Sequence, residues 1–449
     1  MLSIELKQYL RLKQLSIEQP FIDYKQRIWL LKKLLFLVQT NEKRIINALN
    51  LDLNKHENEA YFSEIGLILR ELKYTIKNLK KWIKPKKVKT PFLLFAGSSK
   101  IIQQAKGLCL IISPWNYPFY LTMMPLISAI AAGNRVMIKT SEISKNSTLL
   151  LIELLNNHLN KDIVYVIEPN IENITTLMQQ RFDFVFFTGS EKVGTLVTQQ
   201  VAKFHTPITL ELGGKCPVII CDDVNLEHSA SKIMAAKLIN SGQTCIAPDY
   251  VVVPKGFADK FIDYCNQYVE THLSDLNEFP KMISPQHFRR VLNLIPKNIN
   301  VEYFESVQKI YPKAFFSNWE SQIMQDEIFG PLLPVIEYDD FGQVVKQISI
   351  KSQPLSTYIF TKNKQKIDYL SKYIKTGGIV INDLLVQLIS HNLPFGGVGS
   401  SGNGRTHGYA GFLGFSNSIS SYKRMNFSTK LSEHPYTNSK LKLIKKLIK

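Results

Sequence analysis

Between residues 108 and 381 short apolar runs of four to six residues alternate with stretches whose apolar residues recur every three or four positions. The runs fall at 108–112, 135–139, 163–167, 182–187, 216–220, 250–253, 332–336, 357–360 and 378–381, and the first two flank an apolar helical stretch at 120–132. Strands that alternate with helices in this way form a parallel sheet with helices on both faces. Because the scheme restarts after Glu211, the pattern predicts two successive doubly wound α/β domains with a boundary close to residues 210–214. Ahead of them, Ile28-Leu31-Leu35-Val38 and Ile65-Ile68-Leu72-Ile76 recur at helical spacing, which predicts a helical layer from Leu6 to Trp82. Pro85, Thr90-Pro91 and Gly97 then mark an exit into an extended excursion through Ile101 and Ile102.

A chain of 449 residues has room for two or three cores. No apolar run reaches the roughly 18 residues a bilayer demands, and the N-terminus, alternating Lys and Glu with leucine, lacks a signal-peptide pattern. Five scattered cysteines (109, 216, 221, 245, 265) predict reduced thiols in a cytoplasm rather than a disulfide framework. None stands at metal-ligand spacing, so no metal site is expected. The net charge of +18 is partly local: residues 80–89 hold six lysines and no acid. Stacking aromatics do not interleave with these lysines, which argues against a nucleic-acid partner.

Chemistry concentrates in a few short segments. Cys245 follows Asn240-Ser241-Gly242-Gln243-Thr244, a small-residue turn of the kind that presents a side chain. A cysteine attacks as its thiolate, which forms more easily near helix N-termini or cations. Upstream, Glu211 precedes Gly213 and Gly214, glycines that permit a close approach of backbone or ligand. A carboxylate in a partly apolar setting is raised toward the working range of a general base. No Gly-x-Gly-x-x-Gly is present; Phe187-Thr188-Gly189-Ser190 with Gly194 instead stands where a strand meets a helix, whose free N–H groups can face a phosphate.

These segments occur together with Pro114-Trp115-Asn116-Tyr117-Pro118, Ile138-Lys139-Thr140-Ser141-Glu142, Glu327-Ile328-Phe329-Gly330-Pro331 and Leu393-Pro394-Phe395-Gly396-Gly397-Val398-Gly399. In order and spacing the set resembles the aldehyde dehydrogenase superfamily, in particular its class 3, or fatty-aldehyde, branch, from about residue 20 to about residue 436. The resemblance implies NAD(P)-dependent oxidation of an aldehyde to a carboxylic acid. Cys245 adds to the carbonyl, hydride leaves the thiohemiacetal, and water activated by Glu211 hydrolyses the thioester. The side-chain amide of Asn116, with the backbone N–H of Cys245, stabilises the oxyanion. Lys139 and Glu142 bind the adenosine ribose, Gly189, Ser190 and Gly194 the pyrophosphate, Glu327 the nicotinamide ribose, and Phe329 packs near the ring. Glu142 accepts from a 2′-hydroxyl and repels a 2′-phosphate, which tilts the cofactor toward NAD with NADP possible.

By the same resemblance, residues 1–84 and 106–210 make a helical layer and dinucleotide-binding domain, and 211–397 a catalytic domain. Segments 85–105 and 398–436 supply oligomerisation strands of a homodimer. The chain departs from the usual motifs at Thr140, at Pro169-Asn170, at Asp326 and in a shortened segment 280–311. A CoA-acylating relative is the alternative enzyme, against which Glu211 argues; a silent scaffold on the same fold is opposed by the joint presence of Cys245, Glu211 and Asn116. Apolar residues near Tyr117, Phe119 and Leu384-Leu385 predict a hydrophobic substrate tunnel. At the C-terminus, residues 437–449 read as a basic amphipathic helix, docked on its own body or lying on an anionic bilayer.

Overall fold

The computed structural model describes residues 3–448 apart from 95, 169–175, 274, 276, 278, 425–429 and 432, so that Pro169-Asn170 and Lys449 lie outside the described residues. Helices α1 (Ile4–Glu18), α2 (Tyr24–Thr40), α3 (Glu42–Leu53), α4 (Glu57–Ala60) and α5 (Gly66–Trp82) form the expected layer, with a π-helical turn at Tyr61–Ile65 between the last two. Ser3 and Asp23 cap α1 and α2 through their side-chain oxygens. Strands β1 (Lys86–Val88) and β2 (Gly97–Ala105) make the extended excursion.

The first sheet contains β3 (Leu108–Ile112), β4 (Arg135–Lys139), β5 (Val164–Ile167), β6 (Phe184–Gly189) and β7 (Ile208–Leu212). Helix α6 (Tyr120–Ala132) joins β3 to β4, and α7 (Lys145–His158) joins β4 to β5. Strand β6 begins later than the apolar run at 182–187, because Asp183 is taken up in accepting the Leu108 N–H at 2.8 Å. The second sheet contains β8 (Pro217–Ile220) and β9 (Tyr250–Pro254). A small ribbon of β10 (Tyr303–Phe304) and β11 (Lys309–Ile310) follows. The sheet then resumes with β12 (Lys313–Phe316), β13 (Leu332–Tyr338), β14 (Thr357–Phe360) and β15 (Ile379–Ile381).

Strand order is β16-β7-β6-β3-β4-β5 in the first sheet, where β16 (Gly402–Asn403) is the sole antiparallel member, and β12-β13-β9-β8-β14-β15, all parallel, in the second. Alternate residues of each strand enter opposite cores. In β3, Cys109 and Ile111 pack toward α2, α5 and α6, whereas Leu108 and Leu110 face Tyr9 and Leu12 of α1 and Val197 of helix Glu191–Ala202. In β8, Val218 and Ile220 join one core and Ile219 the other. Burial on both faces explains why the strands read as continuous apolar runs. Both sheets are doubly wound, as the alternation predicts.

Strand β17 (Ser416–Arg424) pairs antiparallel with β2 along its whole length and completes the sheet β1-β2-β17, whose β17 edge no strand among the described residues covers. The segment after residue 397 does more than supply β17: β16 extends the first sheet, and helix Gly408–Gly414 packs on α5 and α6. Likewise β7 runs through Leu212, so Glu211 belongs to the first sheet. No helix among the described residues is long and apolar enough to cross a membrane.

Candidate active site

In the first sheet the direction of winding reverses between β3 and β6, and the carboxyl ends of strands at such a reversal form a crevice. From β3 the chain runs into Trp115, Asn116 and Tyr117; from β6 into Ser190, which caps helix Glu191–Ala202. Strand β4 ends at Lys139, whose ammonium lies 2.5 Å from the half-exposed Glu142 carboxylate. Glu211 stands near the same end, on β7. The nucleophile turn arrives from the other domain, just ahead of β9. Thus Asn116, Lys139, Ser190 and Glu211 stand at the carboxyl edge of the first sheet, and a shared cavity and the Asn116–Gln243 bond bring Glu211 and Asn116 to the Cys245 turn.

The turn before Cys245 is strained. Asn240, Ser241 and Gly242 take φ of 51°, 54° and 69°, a left-handed run that only short polar residues and glycine sustain. A Cβ on Gly242 would stand 2.2 Å from the Gly330 carbonyl oxygen. Gln243 locks the turn: its amide donates to Asn240 O and Lys281 O, both at 3.0 Å, and accepts from Ile283 N at 3.1 Å. Cys216 and Cys221 flank β8 rather than lie within it, and the Cys216 thiol donates to the Cys245 carbonyl at 3.4 Å. Cys245 itself is half-buried. Burial pushes its thiol up, and the nearby Glu327 and Glu211 charges add to that.

Glu211 is buried as well. Its carboxyl is 6% exposed, and burial pushes it up to about 8 against the opposing charge of Arg405. Its Oε1 has no hydrogen-bond partner among the described residues. Cys245 and Glu211 line one cavity of about 290 Å³, walled mainly by Leu67, Leu121, Met124, Phe186, Leu384 and Leu385. Tyr117 also lines it, but Phe119 does not: its backbone is engaged with Glu64.

Asn116 is buried, and its Nδ2 donates to Gln243 O at 3.0 Å, two residues before the thiol. One amide hydrogen remains for an oxyanion, since the side chain carries two.

Glu327 reaches the backbone of Gly213: a Cβ there would stand 2.0 Å from its Oε2, so the glycine makes room for this carboxylate. Burial and Asp249 push Glu327 up to about 8, opposed by the Gly214 N–H, Lys215 and Arg290. Its loop is pinned by the buried Lys215–Asp249 ion pair, by Ile328 N to Asp249 at 2.9 Å, and by Lys215 to Asp326 O at 2.8 Å. Phe329, at φ 48°, presents its ring edge-on to Trp115 with centroids 5.4 Å apart.

Close packing as well as charge shapes the crevice at the carboxyl edge of the first sheet. A Cβ on Gly194 would stand 2.8 Å from Leu212 Cδ2, so helix Glu191–Ala202 lies close on β7 with its first N–H groups at the crevice. Those N–H groups, the Lys139–Glu142 pair and Glu327 fit a dinucleotide.

Sequence reasoning missed a polar group in the cavity wall. His407, at φ 71° and 4% exposed, bonds the Tyr120 hydroxyl through Nε2, while Nδ1 has no partner among the described residues. Burial pushes this imidazole down to about 4, so it is neutral at physiological pH. Beside it the His391 Nδ1 lies 2.7 Å from the buried Glu71, which also accepts from Gly408 N at 2.9 Å. No motif announces these residues, because each acts through partners more than 250 positions away.

Comparison with known proteins bears on the whole chain. The model of the aldehyde dehydrogenase family matches residues 21–420. Aldehyde dehydrogenase family 3 member H1 of Arabidopsis thaliana is 36% identical over 439 residues, covering 95% of this chain and 91% of the relative. The 4,4'-diaponeurosporen-aldehyde dehydrogenase of Staphylococcus aureus is 37% identical over 430 residues, covering 93% and 94%. A solved structure described as the substrate-bound state of Staphylococcus aureus AldH superposes with a TM-score of 0.95 at 35% identity, covering 100% of both chains.

Proposed function

Because this chain belongs to the aldehyde dehydrogenase family and oxidises aldehydes to carboxylic acids with NAD or NADP, we propose that Cys245 is its nucleophile, Glu211 its base, and a hydrophobic aldehyde its substrate. The observation that carries this reading is the shared cavity: a thiol and a raised carboxyl face one apolar chamber of about 290 Å³.

In the proposed cycle, the Cys245 thiol gives its proton to solvent, Sγ bonds to the carbonyl carbon, and the carbonyl electrons move onto oxygen. The free amide hydrogen of Asn116 and the N–H of Cys245 meet that oxyanion. A bound nicotinamide would supply the acceptor for the hydride, which leaves the thioester on Cys245. Ionised Glu211 then takes a proton from water, whose oxygen attacks the thioester; the carbon–sulfur bond breaks, the carboxylic acid leaves, and the proton on Glu211 passes to the departing thiolate, restoring the thiol. Lys139, Glu142, Ser190 and Glu327 would hold the dinucleotide, and the charge of Glu142 would favour a free 2′-hydroxyl, hence NAD.

The test is NADH formation with straight-chain aldehydes of rising length, with and without CoA. Burial of each CH₂ contributes about 0.8 kcal/mol, so kcat/KM should rise about fourfold per carbon until the chamber fills. A preference for short polar aldehydes would refute the hydrophobic reading, and dependence on CoA would favour the acylating alternative.

Assembly and location follow as further parts of the proposal. The open β17 edge supports a homodimer joined through that strand. The C-terminal helix Asn438–Ile448 touches the body at residues 92–94 and buries none of its own residues, with Leu441 and Leu443 exposed among lysines. That supports a cytoplasmic enzyme in peripheral contact with an anionic bilayer, the electrostatic gain being about 1 kcal/mol per lysine. Cosedimentation with anionic vesicles at low salt, full-length chain against one ending at Thr437, decides it: equal recovery in the supernatant would leave only the docked helix.

A further inference from the structure

Beneath the site lies a buried charge cluster that the reaction scheme does not use. Lys55 and Glu64 have fully buried side chains, and Nζ lies 2.6 Å from Glu64 Oε1. A buried ion pair is an uncertain source of stability, since desolvation offsets its attraction. Here its other contacts all run toward the site. Lys55 Nζ donates to Asn116 O at 3.1 Å and sits 4.0 Å from the Tyr117 ring centroid. The remaining oxygen of Glu64 accepts from Phe119 N at 3.0 Å and Tyr120 N at 3.1 Å, capping α6 from a different element. Glu64 reaches them from the π-helical turn Tyr61–Ile65, an irregularity that often marks functional positions.

The second half of the cluster grips the nucleophile turn. Glu59 Oε1 accepts from Asn240 N at 2.8 Å, and Asn240 Nδ2 donates to both Asn116 O at 2.9 Å and Gln243 O at 3.1 Å. Gln243 O is also the acceptor that orients the Asn116 amide. The Tyr117 hydroxyl lies 2.5 Å from Thr244 Oγ1, next to the thiol. Asn116 O therefore receives two donors, one a fixed positive charge, and its side chain is tied to the segment that carries Cys245.

We propose that Lys55, held by Glu64, is a positioning residue that fixes the Asn116 peptide so that its free amide hydrogen points at the oxyanion formed on Cys245. The inference rests on the reading of Asn116 given above. It assigns work in the chemical step to a lysine from the helical layer, remote in sequence from every motif of the site.

The test is a double-mutant cycle read as the single-turnover rate of NADH formation, with wild type, Lys55→Met, Asn116→Ala and the pair. Loss of one oxyanion donor costs on the order of 10²-fold, and both single variants should lose about that much. Because Lys55 works through Asn116, Lys55→Met in the Asn116→Ala background should add less than about threefold. Alkylation of Cys245 by iodoacetamide, which forms no oxyanion, and the Kd for NAD should stay within about threefold of wild type. Multiplicative losses would overturn the coupling while leaving Asn116 in its role. An Asn116→Ala enzyme of normal rate would refute the oxyanion role itself, and with it the route from Lys55. Should a lone Glu64 charge prevent folding, Lys55→Met/Glu64→Gln removes both charges together. That pair should remain as slow as Lys55→Met, and recovery of the wild-type rate would show that only an uncompensated charge mattered.

Discussion

Replacing Glu211 by Gln removes the ionisable proton acceptor while keeping the size of a side chain that is 6% exposed. Burial raises the carboxyl to about 8, and the ionised form is the active base, so the rate of a Glu211-dependent step must rise with pH. With a pKa of about 8, about one enzyme in eleven carries the carboxylate at pH 7 and about ten in eleven at pH 9, a tenfold gain. Below pH 7 the rate should fall about tenfold per unit. Stopped-flow NADH measurements across pH 6 to 9 separate the two halves of the cycle. At pH 6 the wild type should show a burst of one NADH per site followed by slow turnover, because the thioester accumulates. Glu211→Gln should show that burst at every pH, with a steady rate that no longer climbs through 8. A flat wild-type profile, or a Gln variant that still gains tenfold between pH 7 and 9, would refute the assignment. Glu327 is also raised to about 8, but it sits on the proposed cofactor side, so its titration should appear in the Kd for NAD, measured separately.

Cys245→Ala should reduce aldehyde oxidation to background and leave the Kd for NAD within about twofold, because the thiol lines the substrate cavity; residual turnover above a few per cent would exclude it as nucleophile. Glu142→Thr removes a charge and frees Lys139, its partner at 2.5 Å, to meet a 2′-phosphate. The ratio of NADP to NAD kcat/KM should rise about fivefold, the equivalent of about 1 kcal/mol for an exposed charge, and an unchanged ratio would place Glu142 away from the ribose. Gly242→Ala combines a φ of 69° with a Cβ 2.2 Å from Gly330 O. Strain alone costs about 1–3 kcal/mol, so the denaturant midpoint should fall together with burst amplitude; a midpoint equal to wild type would contradict the tight docking of the two loops.

How far residues reach along the chain separates what was legible in sequence from what was not. The buried strands at 108–112, 135–139, 250–253 and 357–360 were readable because burial on both faces demands an unbroken apolar run. Strand β12 was not: Lys313 is half-buried and Phe316 exposed, as an edge position permits. Cys245, Glu211 and the turn at Gly189-Ser190 could be singled out in the sequence because a small-residue turn, a carboxylate followed by two glycines and a strand–helix junction are local devices. The return of residues 402–403 to pair beside Glu211 is not local, and neither is the approach of Glu327 to Gly213 nor the seating of Lys55 under Asn116. Residue types and short-range spacing follow from the chain alone, so the sequence by itself determined the fold class and the chemical groups available for catalysis. Only the tertiary structure decided which carboxyls are desolvated enough to act as bases near neutral pH, how large and apolar the chamber is, and what holds the amide of Asn116. Desolvation, cavity shape and hydrogen-bond geometry are properties of atoms gathered from distant segments, and they do not exist until the two sheets close on one another.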